Sequence, residues 1–318
     1  MKRLKQLVLA CAFAPATALA HDAMTLDQVV EAFGWNFSEM EIQSQTVADG
    51  LHVLFGAGGN IAVSIGEDGV LIVDDQFPQL MPRILDAIKV LGGEGVDFAV
   101  NTHWHFDHAE GNLALGPQGT WLVAQSNSRK MMLDDHVIDL VQLQYGQKAY
   151  PAEALPHLTF DDAMQMHLNG QQIDLMHFGP AHTTGDTAVI FRGANAVHLG
   201  DVFNNTGYPF IDAGNGGELT GMIAFCRAAL AAIDEDTIVI PGHGPVTDVK
   251  TLRAYTEMLE TVRERIGEMI ASGLTLEEVM AAEPTADFDE RYGNAKANFI
   301  NRAYLSMTRE AQTAGTGE

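Results

Sequence analysis

The chain has 318 residues, of which 47% are hydrophobic and 19% are charged, a balance typical of a folded globular protein. Its formal net charge of −24 repels polyanions, so we expect no nucleic acid among its partners. A single layered α/β domain of 200–250 residues is common, so a length of 318 residues is consistent with one such domain and a helical extension.

Residues 1–20 have the pattern of a secretory signal peptide, in which cations precede an apolar stretch and a small-x-small site. We expect cleavage after Ala20 and a periplasmic or secreted protein. Loss of the three leader cations changes the net charge from −24 to −27. A membrane anchor is disfavoured because the apolar run is short and contains Pro15, and a lipoprotein would use Cys11.

Removal of the leader leaves Cys226 as the only cysteine, so the mature chain cannot form an intramolecular disulfide. The residues around Cys226 have a helical pattern, which predicts a buried thiol. No later segment has the long uninterrupted apolar run of a membrane span, and we expect none. The sequence does not indicate an oligomeric state.

The first half of the chain predicts strands interleaved with helices. The expected elements are a helix over 25–37, strands at 51–55, 61–65 and 70–73, a helix over 80–88, a strand at 96–100, a short helix at 109–115, a strand at 121–124 and a helix that begins at Ser126. Residues 134–157 are less periodic. We interpret them as a helix and loop beside the site, which either shape a pocket or only pack.

The second half repeats this alternation. Strands are expected at 158–160, 164–168, 173–178, 188–191 and 196–199, a helix at 219–233, a strand at 237–240, and mostly helices from 246 onward. Two sheets that face each other with helices outside bury both apolar faces. The predicted fold class is therefore α/β, an αββα sandwich of two mixed β-sheets flanked by helices. We expect it to span residues 21–310, with a disordered polar tail at 311–318.

Residues 103–108 read HWHFDH and follow a predicted strand directly. Imidazoles clustered for packing alone would each need a buried partner and would repel one another when protonated, so this density favours metal binding. Three further candidates, His182, Asp201 and His243, also follow apolar β-runs. Loops at strand ends can converge on one rim of a fold.

This order of residues resembles the metallo-β-lactamase superfamily, in which an HxHxDH motif is followed by a His, a bridging Asp and a final His. The resemblance covers about residues 50–248. It implies the metallo-β-lactamase fold and a dinuclear metal-dependent hydrolase. By this likeness the first metal ion would be held by His103, His105 and His182, and the second by Asp107, His108 and His243, with Asp201 bridging both.

Five imidazoles and two carboxylates suit Zn²⁺, with Fe or Mn as alternatives. Two such cations close together would lower the pKa of a shared water and supply hydroxide at neutral pH. Asp107 is the expected catalytic residue, because it can orient this hydroxide. We expect imidazole partners at Asp74, Thr183 and Asp186, and substrate-lining side chains at Trp104, Asn215 and Tyr208, although turn formation or packing would also explain all six.

The substrate class is less constrained by the sequence. One β-lactamase group resembles this chain but has Cys at the position of Asp201 and Lys three residues later, where Asn204 stands here. The combination of His108 with Asp201 is more similar to lactonases and to glyoxalase II-type thioesterases, whereas export favours β-lactams. We expect a small-molecule substrate, a cyclic amide or ester, with β-lactams first and a lactonase or thioesterase as the alternative.

Two other classes stay open. A di-iron oxidoreductase that resembles this chain would carry Glu in place of His105. A non-catalytic metal-binding module would need a metal site that is closed to water.

Overall fold

The computed structural model describes residues 23–293 and 295–315, with side chains up to Gln312. The predicted signal peptide at 1–20 and the last three residues of the predicted tail lie outside the described residues. Among the helices described, none combines the length and apolar character of a membrane span.

The strands of the described chain build two large mixed sheets and one hairpin. They are β1 (Gln43–Ala48), β2 (Leu51–Phe55), β3 (Ile61–Gly66), β4 (Gly69–Val73), β5 (Phe98–Asn101), β6 (Trp121–Gln125), β7 (His136–Asp139), β8 (Gln144–Gln147), β9 (Leu158–Phe160), β10 (Ala163–Leu168), β11 (Gln171–Met176), β12 (Ala188–Phe191), β13 (Ala196–His198), β14 (Ile238–Ile240) and β15 (Thr247–Asp248). The first sheet has the order β1-β2-β3-β4-β5-β6-β9 and the second β10-β11-β12-β13-β14-β15. Strands β4, β5, β6 and β9 run parallel, as do β13 and β14.

Ten α-helices are described, and the longer ones cover the outer faces of the two sheets. The ten are α1 (Leu26–Ala32), α2 (Met81–Val90), α3 (Phe106–Ala109), α4 (Asn112–Leu115), α5 (Ser126–Met131), α6 (Leu219–Ala232), α7 (Val249–Ala271), α8 (Leu276–Ala281), α9 (Asp289–Tyr292) and α10 (Lys296–Gly315). Between the sheets, Val53 and Leu71 belong to one apolar cluster with Leu175 and Phe191. The other face of the first sheet packs under α2, and that of the second under α6, α7 and α10. The predicted αββα sandwich is confirmed.

The strand ends determine where the candidate site lies. Strands β4, β5, β13 and β14 are short, apolar and mostly buried, which is typical of the interior of a sheet. Soon after their carboxyl ends come Asp74, His103, Asp201 and His243, respectively. Ligands commonly bind at the carboxyl ends of parallel strands, and here both sheets contribute such ends to one edge.

The N-terminal region differs from the prediction in two ways. Helix α1 ends at Ala32 rather than continuing to residue 37, because Gly34 adopts the left-handed conformation, with φ at 68°, just past the helix. Strand β1 was not predicted. Its residues are mostly polar and exposed, since it is the edge strand of its sheet, so the apolar alternation that identifies a strand is absent.

The prediction of a helix and loop over residues 134–157 is wrong, because the segment contains the hairpin of β7 and β8. Ile138 pairs with Tyr145 across the hairpin, and both side chains are buried. The turn includes Val141 in the left-handed region, with φ at 69°, which a helix does not allow. A four-residue strand with one buried position gives too little periodicity to be recognised.

At the C terminus, α10 continues to Gly315, so the disorder expected from Ala311 is wrong for residues 311–315, which are helical. Residues 311–314 include good helix formers and contain neither Gly nor Pro, which leaves no local signal to end the helix.

The prediction of a buried thiol at Cys226 is confirmed. The residue lies in α6, and its Sγ is 3.8 Å from the carbonyl oxygen of Val202. Burial raises the pKa of the thiol to about 12, so it stays protonated and unreactive at neutral pH.

Candidate metal centre

The predicted ligands converge at the shared sheet edge. They form three overlapping groups, namely His103, His105 and His182; His103, His108 and Asp201; and Asp107, His108 and His243. Within each group the candidate ligand atoms lie within 4.8 Å of one another, and each group could hold a metal ion. All the ligand positions expected from the sequence are therefore brought together.

The hydrogen bonds of His105 and His182 show which ring nitrogens can bind a cation. Nε2 of His105 lies 2.9 Å from the carboxylate of Asp212, and Nδ1 of His182 lies 2.9 Å from the carbonyl oxygen of Phe210. Both partners are acceptors, so these nitrogens carry the hydrogens and the other nitrogen of each neutral ring has a lone pair. The two lone pairs face each other at 2.9 Å, an arrangement that repels unless a cation lies between them.

His103 presents a third lone pair to the same place. The hydroxyl of Thr102 donates to Asp74 at 2.9 Å and therefore accepts from Nδ1 of His103 at 3.0 Å. This leaves Nε2 of His103 fully buried and without a hydrogen-bond partner among the described residues. Burial, followed by the charges of the neighbouring imidazoles, lowers the pKa of His103 well below its usual value, so the ring is neutral.

A second group surrounds His108. Its Nδ1 lies 2.7 Å from the carboxylate of Asp74, and its Nε2 lies 3.2 Å from both His243 and Asp201. Nε2 of His243 is 3.3 Å from the carboxylate of Asp107. Although burial lowers the pKa of His243, the carboxylates of Asp201 and Asp107 raise it to about 10. The surroundings therefore favour positive charge at this point.

Asp201 faces both groups. Its Oδ1 lies 3.2 Å from His108, and its Oδ2 lies 3.7 Å from His182. The preceding Gly200 has φ at 50°, and a Cβ there would lie 2.5 Å from the hydroxyl oxygen of Thr102. Only glycine permits this close approach, which places Asp201 between the groups.

The other predicted site residues have different positions. Asp74 contacts His108 directly, as expected. Thr183 and Asp186 do not contact an imidazole of the centre: Asp186 accepts from the backbone and hydroxyl of Thr183 and so shapes the turn that carries His182. Their expected role as imidazole partners is thus corrected to one of turn formation, because the carbonyl of Phe210 takes the N–H of His182.

The expected substrate-lining residues need correction as well. Trp104 is fully buried behind the centre, with its ring 4.8 Å from that of His105, and does not line the cavity. Asn215 donates to the carboxylate of Asp212 at 2.9 Å and so supports the partner of His105. Tyr208 lines a neighbouring groove rather than the main cavity.

Asp212 was missed by sequence reasoning. It is 1% exposed, contacts His105, and lies in a loop between two predicted ligands. Nothing in its local sequence distinguishes it from other loop aspartates. An acceptor of this kind could have been expected only from the general rule that the N–H of a metal-binding imidazole needs a hydrogen-bond acceptor.

A cavity of about 480 Å³ opens onto the metal-binding groups. Asp107, Asp201 and His243 line its floor, and aromatic and aliphatic side chains line its walls, including Trp35 and Phe106. Neither Lys nor Arg is found among the described residues that line it. The cavity thus combines a polar floor with apolar walls, as in many small-molecule sites.

Glu110 lies close behind the centre. Its side chain is 6% exposed and accepts a hydrogen bond of 2.7 Å from the hydroxyl of Tyr145. Burial raises the pKa of Glu110 from 4.5 to about 7, so part of the population is protonated at neutral pH. Because the pKa is higher in the folded state, the stabilisation from protonation is full below 4.5 and is lost as the pH rises through about 7.

We expect Glu110→Gln to remove this pH dependence, because Gln stays neutral and still accepts from Tyr145. Between pH ~5 and ~8 the free energy of unfolding of the unchanged protein should fall by about 2 to 3 kcal/mol relative to the variant. Urea unfolding at saturating zinc measures the difference, and Glu153→Gln at an exposed position is the control. Equal pH profiles for the protein and Glu110→Gln would contradict the assignment.

The fold and the clustered ligands define a metal-binding αββα protein, and comparison with known proteins identifies the family. The sequence profile of the metallo-beta-lactamase superfamily matches residues 57–244. The chain belongs to this superfamily.

Two bacterial relatives are hydrolases by name. The chain is 27% identical over 150 residues to the probable metallo-hydrolase YqgX of Bacillus subtilis, covering 47% of this chain and 69% of that protein. It is also 27% identical over 149 residues to the hydroxyacylglutathione hydrolase GloC of Haemophilus influenzae, covering 46% and 68%. The chain is a metal-dependent hydrolase.

Solved structures show the same fold at lower identity. The DIM-1 metallo-beta-lactamase has a TM-score of 0.56 at 19% identity, covering 70% of this chain and 99% of that chain. The sec-alkylsulfatase Pisa1 from Pseudomonas sp. has a TM-score of 0.64 at 15% identity, covering 83% of this chain and 50% of that chain. At these identities the likeness concerns the fold alone.

Proposed function

We propose that the protein hydrolyses a small ester or amide, preferably a cyclic one, with two Zn²⁺ ions bound at the centre. The observation that carries the proposal is the set of buried imidazole lone pairs directed at one another and at Asp201. His103, His105 and His182 would hold one ion and Asp107, His108 and His243 the other, with Asp201 between them. The mixture of imidazoles and carboxylates suits zinc, with Fe or Mn as alternatives.

Bound metal ions of this type supply a Lewis acid and, at neutral pH, a hydroxide nucleophile. The chain itself positions the reacting groups. Asp107 lines the cavity, and its carboxylate can orient a nucleophile there and accept its proton. Asn204 also lines the cavity. Its amide oxygen accepts from the backbone N–H of Thr206 at 2.8 Å, which leaves the amide N–H groups to donate to a substrate oxygen.

The walls of the cavity favour an ester or lactone over a β-lactam. A β-lactam carboxylate would meet no Lys or Arg among the described residues that line the cavity, so only the metal centre, which the reacting carbonyl also needs, could offset its charge. The glutathione thioesters suggested by the name of one relative also carry carboxylates. β-Lactams and glutathione thioesters are therefore included in the assay below as alternatives to the leading proposal.

We also propose a periplasmic location, supported by the leader pattern at residues 1–20. Protein isolated from the periplasmic fraction, expected to begin at His21, is loaded with Zn, Fe or Mn. It is then assayed with a γ-lactone, an acyl-homoserine lactone, a β-lactam, a thioester and a phosphodiester. We expect lactone turnover that falls by about a hundredfold or more on chelation and returns with zinc. Turnover that survives exhaustive chelation would exclude the proposal.

A further inference from the structure

We propose that the substrate carries an uncharged apolar chain that lies in a side groove next to the metal centre. The inference rests on the proposed function and narrows its substrate class to neutral esters or lactones with an alkyl extension. The groove is a second cavity of about 200 Å³, and Phe33, Leu140 and Phe210 line both it and the main cavity. The two spaces therefore adjoin at these side chains.

Phe210 connects the groove with the metal centre. Its ring centroid lies 6.1 Å from that of His105 and 5.8 Å from that of His182. Its carbonyl oxygen accepts the hydrogen bond from His182, which fixes this segment relative to the centre. A substrate bound at the metal ligands is thus one aromatic ring away from the groove.

The walls of the groove offer contact to hydrocarbon and no charge. Leu143 contributes apolar surface, and no Lys, Arg, Asp or Glu is found among the described residues that line the groove. An amide N–H of Asn298 donates to the carbonyl oxygen of Leu140, and the hydroxyl of Tyr208 donates to acceptors of neighbouring loops. Gln142 adds a third polar side chain, which is also uncharged, so the groove offers hydrogen bonds to a polar chain but no described partner for a charged one.

The charges of the protein also favour an uncharged substrate chain. A carboxylate at the end of a chain in the groove would lose its hydration and gain no ion pair with the described lining residues, and the net charge of −24 disfavours the approach of anions. An alkyl chain, in contrast, gains free energy with each methylene removed from water. A neutral alkyl substrate is therefore favoured over one of equal length that ends in a carboxylate.

The entrance to the two spaces is also apolar. Phe33 is 47% exposed and its ring stacks on that of Trp35 at 4.9 Å. Val141, which follows Leu140 in the hairpin turn, is 36% exposed. Exposed apolar side chains grouped at the mouth of a cavity are typical of a binding site, because a bound apolar ligand covers them.

The test varies the chain length of the substrate and one groove residue together. Rates of the zinc-loaded protein are measured with γ-lactones that carry methyl, butyl and octyl groups. We expect kcat/KM to rise about three- to fourfold for each methylene that enters the groove. Leu143→Trp, which fills the groove, should remove the rise in kcat/KM from the methyl to the octyl lactone. Leu143→Lys should instead favour an octyl chain that ends in a carboxylate.

A binding measurement separates failure of this inference from failure of the proposed function. The γ-lactams with the same alkyl groups, unstrained amides that are much less reactive than the lactones, are titrated by calorimetry. Tighter binding of the octyl lactam to the unchanged protein, lost in Leu143→Trp, supports the groove even without lactone turnover. Equal affinity for methyl and octyl lactams overturns it whatever the rates are. The inference is also overturned if Leu143→Lys changes the oligomeric state and not the binding of the lactams, because the groove would then hold a second copy of the chain.

Discussion

Asp201→Asn is expected to lower kcat/KM by about a hundredfold or more and the zinc content from about two ions to about one per chain. Asn keeps the volume of the side chain but removes the negative charge that faces both groups of imidazoles. One oxygen of Asp201 lies 3.2 Å from His108 and the other 3.7 Å from His182, so this carboxylate is near both groups at once. Steady-state kinetics and metal analysis on the same sample measure the two effects.

The matched control is Asp135→Asn, the same chemical change at an exposed position where the carboxylate pairs with Lys148. Exposed ion pairs contribute little, so this variant should keep its activity within about twofold. An Asp201→Asn variant that retains both zinc ions and full turnover would show that the carboxylate is not a ligand. Loss of activity with the zinc content unchanged would place Asp201 in substrate binding instead.

The sequence predicted the convergence of the ligands because their signal is local. HWHFDH places four candidate side chains within six residues, and the remaining candidates each follow an apolar run that predicts a strand. Parallel neighbours such as β4 and β5 end at the same edge of a sheet, so residues just past their ends meet in space. Periodicity and order along the chain were sufficient for this part of the site and for the αββα layers.

The walls of the cavity were not predictable in the same way, because they depend on contacts between distant segments. Ile138 and Leu140 line the cavity from a hairpin whose strands are too short to show a period. Asp212 contacts His105 across 107 positions of sequence. Asn215 was correctly placed near the site, but its partner is Asp212 rather than a substrate. Local sequence thus predicted which candidate ligands come together but not the groups that position them.

Asp74 is the residue through which such positioning can be tested most directly. Its carboxylate accepts from the backbone N–H of Thr102 at 2.7 Å, from the hydroxyl of Thr102 at 2.9 Å, and from His108 at 2.7 Å. It therefore directs the lone pair of His108 and, through Thr102, that of His103 toward the centre. Asp74 has φ at 64°, a conformation that Asn also tolerates, so Asp74→Asn changes the hydrogen bonding and not the backbone.

Asp74→Asn is expected to lower zinc affinity and kcat/KM by about ten- to a hundredfold. If the new amide N–H₂ group faces His108, it can only donate to Nδ1, which moves the hydrogen of the neutral ring to Nε2 and removes the lone pair from the centre. If it faces Thr102 instead, it meets the backbone N–H, and two donors oppose each other. Competition with a chelator measures the zinc affinity, and raising the zinc concentration should restore part of the activity.

The adjacent Asp75 provides the control, because burial, followed by the charge of Asp74, raises its pKa well above the usual value. The raised pKa favours the neutral acid over the carboxylate, and the carboxyl accepts from Asn101 at 3.1 Å. Among the described residues, the side chain of Asp75 makes no hydrogen bond to a candidate imidazole ligand, so Asp75→Asn should leave kcat/KM within about threefold. If both variants lose the same activity, the effect is a general disturbance of the loop. If only Asp74→Asn does, the charge beside His108 controls the tautomer of a ligand.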